Sequence, residues 1–180
     1  FLNQKKYELS KTAYNSLKSI GEVYSWYAAV NVAIILSEIS TLEKSISSIE
    51  KDFNSISAPD FQHYYEVANF FKENEYHKKS IKYYTLALQN INQDHFLVPK
   101  ILYRRGTSYE RLGDWADAEN DLIESLEILP DQAHVLNYLA YSWIEKKKNI
   151  DKSIEMLEKA HKLRENDGYI IDSLGWGHFA

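Results

Sequence analysis

Apolar residues return at steps of three and four along almost the whole chain, and polar residues fill the gaps between them. That is the 3.6-residue period of a helix with one buried face, not the strict alternation of a strand. The clearest stretch runs Leu102, Arg105-Gly106, Tyr109, Leu112-Gly113-Asp114-Trp115, Ala118, Leu122, Leu126 and Pro130. It predicts two antiparallel helices, with Gly113 and Asp114 in the tight turn between them and Pro130 closing the second before Asp131 opens the next. Only three prolines and six glycines interrupt the pattern, so the expected class is all-α.

The same phrase recurs. It follows as Leu136, Leu139-Ala140, Trp143, Ser153, Leu157 and Ala160, with a turn one residue longer around Lys148-Asn149. It precedes as Tyr64, Val67-Ala68, Phe71, Ser80, Tyr84 and Ala87, and before that as Ala29, Val32-Ala33, Leu36, Ser45 and Ile49. The small residue of each first helix is Ala33, Ala68, Gly106, Ala140 and then Gly175, at intervals of 35, 38, 34 and 35. Small residues at these points let two helices approach closely, while Tyr109, Trp115 and Leu122 flank the contact. The long interval contains Asn92-Gln93-Asp94-His95, a polar insertion expected as an extended connection ahead of a helix with Pro99 in its first turn.

A fixed period near 34 residues with this phrase resembles the tetratricopeptide repeat, TPR. The resemblance covers nearly the whole chain and implies a right-handed superhelical solenoid of helical hairpins over residues 1–180: about four complete repeats and a half repeat at each end. Departures from the pattern are Arg105 where an apolar residue is preferred, Ser at sites usually held by Ala, and Pro after only one hairpin. Tyr7, Ser10, Tyr14 and Leu17 read as a second helix without its first, and Ile171, Leu174-Gly175 and His178 as a first helix without its second. With Phe1 rather than Met at the start, a fragment of a longer protein is expected. Ile170, Leu174, Trp176 and Phe179 are expected to lack cover and to support a homodimer through the C-terminal helix.

The family implies function as an interaction scaffold whose first helices form the wall that binds a peptide or protein; the alternatives are a self-association or assembly module, and a regulatory TPR domain of a larger enzyme. The positions facing that wall are Tyr27, Tyr65, Asn69, Lys72, Lys100, Tyr103, Arg104, Thr107, Asn137, Tyr141 and Trp176. Among these the candidate partner-binding residues are Tyr65, Asn69, Lys100, Tyr103, Arg104, Asn137 and Tyr141, which combine rigid aromatic area with hydrogen-bonding groups. The same tyrosines equally suit packing between repeats. Lys100 and Arg104 suit one carboxylate, or an ordinary ion pair with Glu110. The dicarboxylate clamp by which some TPR proteins hold chaperone tails is excluded, because the matching earlier positions are Val30, Ile34 and Glu66.

Composition narrows the remaining classes. At 44% hydrophobic the chain can bury a sizeable core without metal or disulfide support, and it has no cysteine to supply either. A formal charge of -5 opposes general nucleic-acid binding. The apolar run from Tyr27 to Leu36 is broken by Asn31 and falls well short of the ~20 residues of a membrane span. His63 with Glu66 and His161 with Glu165 have helical spacing, yet no third ligand accompanies either pair. Phosphate-loop and nucleophile-elbow motifs are missing, so the expectation is a non-enzyme without cofactors. Lys146-Lys147-Lys148 suits the C-terminal end of a helix, where cations complement the dipole. The stretches Val135 to Ile144 and Asn166 to Trp176 resemble bacterial multi-TPR proteins, which leaves the bacterial cytoplasm and the periplasm or cell envelope both open.

Overall fold

A computed structural model describes residues 2–18 and 20–179. Among them are ten helices: α1 (Leu2–Leu17), α2 (Glu22–Ile39), α3 (Leu42–Asn54), α4 (Phe61–Glu73), α5 (His77–Asn90), α6 (Val98–Arg111), α7 (Trp115–Ile128), α8 (Ala133–Glu145), α9 (Ile150–Leu163) and α10 (Gly168–Phe179). The chain divides into two compact units, residues 1–92 and 93–180.

The first unit holds hairpins α2–α3 and α4–α5, with α1 against α2. Thr41 caps α3 by accepting the Lys44 amide, and Asp60 caps α4 by accepting the Gln62 and His63 amides. The Asp60 backbone N–H in turn donates to the His63 ring Nδ1, which completes a capping box. The carboxyl of Asp60 lies below its usual range: burial opposes the shift, and the His63 contacts outweigh it. The core is Trp26, Ala29, Ala33, Ile46, Ile49, Val67, Phe70 and Phe71. Its contacts are largely aromatic, with Phe71 stacked on Tyr83 at 5.6 Å and Phe53 edge-on to Trp26 and Tyr83. Each fully buried large side chain contributes about 1.5–3 kcal/mol, so this cluster supplies the adhesion that marginal helix propensity does not.

The second unit holds hairpins α6–α7 and α8–α9, with α10 against α8 and α9. Its core includes Leu122, Val135, Leu136, Leu139, Ala140, Trp143, Ile144, Leu157, Ala160 and Ile170. The sequence expectation that Ile170 lacks cover is therefore corrected: Ile170 is 2% exposed. Gly106 shows why the close approach needs a small residue: a Cβ there would lie 3.1 Å from the Ala118 carbonyl oxygen and 3.1 Å from the Asp121 Cβ. Arg105, anomalous as a sequence, reaches across the same contact. Its Nε and Nη2 donate to the two Asp121 oxygens at 2.8 and 2.7 Å. Burial works against the guanidinium, but the bidentate carboxylate more than offsets it and raises the Arg105 pKa. Burial also pushes the Asp121 carboxyl up, with Arg105 offsetting only part of that rise.

The turns follow the pattern with one difference. Gly113 takes the left-handed conformation at φ 83°, and Lys147 and Asn149 do so at 53° and 51° in the longer turn. Helix α8, however, begins at Ala133 rather than at Asp131. Gln132 is buried just before it and its amide donates to Ser125 O, Ser125 Oγ and Leu129 O, tying the end of α7 to the start of α8. The polar insertion ends where α6 begins, with Pro99 in the first turn as expected.

Candidate functional site

The seven candidate residues fall into two sets, one in each unit. In the first unit Tyr65 and Asn69 lie one turn apart on α4, and both turn toward α5. The Tyr65 ring is 6.3 Å from Tyr84, and the Tyr84 hydroxyl donates to Asn69 Oδ1 at 2.7 Å. Tyr84 is fully buried, so these two residues hold the hairpin together.

In the second unit α6 positions Lys100, Tyr103 and Arg104, and α8 positions Asn137 and Tyr141. Lys100 is exposed. Tyr103 is half-buried, edge-on to His134 at 4.8 Å and to Tyr138 at 6.1 Å, and burial raises its phenol pKa. Arg104 is half-buried, and its carbonyl accepts the Thr107 and Ser108 hydroxyls. Thr107, expected on the wall, is itself buried. Asn137 is half-buried, and its Oδ1 is enclosed without a hydrogen-bond partner. Tyr141, one turn on, is 40% exposed and, like Lys100, is available to a partner.

Beside Tyr141 lies a cavity of about 320 Å³ lined by Glu110, Arg111, Tyr138, Ser142, Glu145 and Lys146. The Tyr138 hydroxyl donates to Glu110 Oε2 at 3.0 Å, and Arg111 stands 3.9 Å from the same carboxylate. Burial first, and then the Glu110 charge, push the Tyr138 phenol far above its usual range. Tyr138 was not among the sequence candidates. Its signal was its place between Asn137 and Tyr141 on the same helix, one turn from the latter.

The other sequence signals settle into structural roles. His63 pairs with Asp60, while Glu66 accepts the Trp26 indole N–H at 2.7 Å. Glu119 accepts the Trp143 indole N–H and two bonds from Lys148. Lys146 lies 4.8 Å from the Trp115 ring centroid. Among the described residues no three histidines or carboxylates are grouped to hold a metal ion, and no helix is long and apolar enough to cross a membrane.

The repeated hairpin has close counterparts among solved structures. BtubC (BKLC) from P. vanneervenii matches with a TM-score of 0.76 at 17% identity, over 98% of this chain and 82% of that one. The fold of this chain is that of a tetratricopeptide-repeat solenoid. YrrB, described as a TPR protein with an unusual peptide-binding site, matches with a TM-score of 0.68 at 15% identity, over 94% of this chain and 84% of that one. MamA matches with the same score and identity over 91% of each chain. In sequence, the TPR repeat-containing protein PA4667 of Pseudomonas aeruginosa is 37% identical over 76 residues, 42% of this chain. Those residues are 13% of that protein's length, so the chain spans a small part of this relative. No family model matches.

Proposed function

We propose that the TPR chain is a protein-interaction scaffold rather than an enzyme, and that α8, with the adjoining end of α6, receives an extended peptide. The observation that carries this reading is Tyr141: its ring is 40% exposed at the edge of a cavity lined by residues of α6 and α8, with the half-buried Asn137 amide one turn before it. Tyr141 stands with its ring partly in solvent beside this open cavity, which Tyr138, Glu110 and Arg111 also line. A rigid aromatic next to a directed hydrogen-bonding group is the usual make-up of an interaction hot spot. The peptide-binding site named for YrrB supports a comparable role for this chain.

The test is selection of peptides from a displayed library on the intact chain, followed by titration of the selected peptide against Asn137→Ala and Tyr141→Ala variants. Each variant is expected to bind at least about tenfold more weakly, the loss of one good contact. Unchanged affinity in both, with helicity retained, would remove α8 from the contact surface.

A further inference from the structure

In the second unit the open sides of α6 and α8 carry matched positions. Lys100, Arg104, Thr107 and Arg111 follow one another on α6 at steps of four, three and four residues, which keeps them on one helix face. His134, Tyr138, Tyr141 and Glu145 stand on α8 34 residues later with the same steps. Lys100, Arg111, His134, Tyr141 and Glu145 are exposed, Arg104 and Tyr138 are half-buried, and Thr107 is buried. The charge on this face is not that of the whole chain, which is formally -5. Helix α6 carries Lys100, Arg104, Arg105 and Arg111 against Glu110, while α7 carries Asp117, Glu119, Asp121, Glu124 and Glu127 with no Lys or Arg. Arg105 crosses to Asp121 on α7, and Lys100 stays on the open side.

The two ends of the face differ. Where α6 and α8 end, opposite charges and polar groups meet within the chain: Glu110 accepts the Tyr138 hydroxyl with Arg111 3.9 Å away, and Glu145 accepts the Trp176 indole N–H. Where the two helices begin, cations gather. Among the described residues no carboxylate pairs with Lys100. Arg164, which follows α9, keeps only a loose contact with Asp167 at 3.7 Å, and Asp167 also accepts the Tyr169 amide. His134 stands edge-on to Tyr103 at 4.8 Å, and its pKa is lowered first by burial and then by the charges of Arg164 and Lys100. Both charges that act on this ring are positive. The beginnings of α6 and α8 add the positive ends of their dipoles to the same place.

We infer that the peptide received on α8 is acidic, with one carboxylate seated at Lys100, His134 and Arg164 and another residue of the peptide against Tyr141. The inference rests on the peptide reading above and gives that peptide its chemistry. Lys100 and Arg164 supply charge to the carboxylate, and the neutral His134 ring has one N–H to donate to it. From His134 to Tyr141 the helix rises about 10 Å, which an extended chain covers in about three residues. The acidic residue therefore stands about three positions from the one beside Tyr141. A basic peptide, the partner that net charge alone would favour, meets repulsion at the same three side chains.

The experiment selects short random peptides displayed on phage against the 180-residue chain. The selected peptides, made synthetically, are titrated against the wild type and the Lys100→Glu, Arg164→Ala and Tyr141→Ala variants. Lys100 and Arg164 are exposed, and circular dichroism checks that each variant keeps its helicity. The selected peptides are expected to carry Asp or Glu, and replacing that residue by Asn or Gln should weaken binding at least about tenfold, as should Lys100→Glu. Arg164→Ala should weaken the acidic peptide and leave its amide counterpart unchanged. Replacing the acidic residue by Lys should restore binding to the Lys100→Glu variant, a reversal that a merely structural Lys100 would not produce. Neutral or basic peptides that lose affinity in Tyr141→Ala but not in Lys100→Glu overturn the acidic assignment and leave the peptide reading standing. Acidic peptides indifferent to Lys100→Glu overturn it as well. If no peptide is selected, or none loses affinity in Tyr141→Ala, the peptide reading falls and this inference falls with it.

Discussion

Hairpins α4–α5 and α6–α7 occupy the same stage of the repeat and close it with different chemistry. In α4–α5 the small residue is Ala68, and the surrounding contact is aromatic: Phe70, Phe71, Tyr65, Tyr83 and Tyr84, with a bond from Tyr84 to Asn69. In α6–α7 the small residue is Gly106, where a Cβ would lie 3.1 Å from the Ala118 carbonyl oxygen, and the contact is bridged by Arg105 and Asp121. The aromatic hairpin is held by area, which has little directional preference. The ion-paired hairpin is held by two directed bonds that fit only one register. A repeat array can therefore keep its period while exchanging adhesion for specificity at a given position.

The largest effect should come from breaking the ion pair on one side. Asp121→Ala removes the carboxylate that takes both bonds from Arg105, whose side chain is only 16% exposed, and should cost about 3–5 kcal/mol in denaturant unfolding of the chain. The double variant Arg105→Leu/Asp121→Leu converts the contact to the apolar kind used by α4–α5 and should recover most of that loss. If the double variant is as unstable as the single one, the pair is adhesive in its own right and the contrast between the two hairpins fails.

A smaller effect separates the two small residues. Gly106→Ala gives the second hairpin the residue that the first already carries, but the new methyl meets the Ala118 carbonyl oxygen and Asp121 Cβ at 3.1 Å, and α7 must move to admit it. Overpacking of this kind costs about 1–3 kcal/mol, more than the gain in helix propensity from replacing glycine. A thermal midpoint that rises in Gly106→Ala would show that the close approach has slack, and that glycine is present for another reason.

Much of this was legible as sequence because the period is carried by residue size. Ala33, Ala68, Gly106 and Ala140 are spaced by the repeat and are all buried where two helices meet. The hairpin pairs therefore followed from spacing alone, since every contact that defines them lies within one repeat. Arg105 was visible as an exception but its partner was not, because Asp121 is sixteen residues away on the other helix and nothing local marks it. Gln132 was hidden for the same reason: its bonds run back to Ser125 and Leu129, and its burial depends on how α7 ends. The candidate wall was legible only as a set of helix positions. Rotation and packing decide which of them face solvent, and they left Tyr141 exposed while enclosing Thr107 and drawing Tyr65 and Asn69 toward Tyr84.

The smallest effect tests the turns. Glu75 lies 38 residues before Gly113, the same offset as Ala68 to Gly106, and both turn residues are left-handed, at φ 63° and 83°. A side chain in that region is strained by contact between its Cβ and the backbone, and glycine is not. Glu75 is exposed, so its replacement sacrifices no core contact. Glu75→Gly should therefore stabilise the chain by a few tenths to about 1 kcal/mol, the relief of strain outweighing glycine's greater freedom when unfolded. The reciprocal Gly113→Glu should destabilise by about the same amount, since a Cβ at Gly113 meets nothing within 4 Å and conformation alone sets the cost. Equal and opposite shifts in denaturation midpoint would make the two turns interchangeable, and confine the difference between the hairpins to their helix contacts. A loss of stability in Glu75→Gly would mean that the Glu75 side chain holds its turn through contacts that Gly113 does without, so that the two hairpins differ at their turns as well.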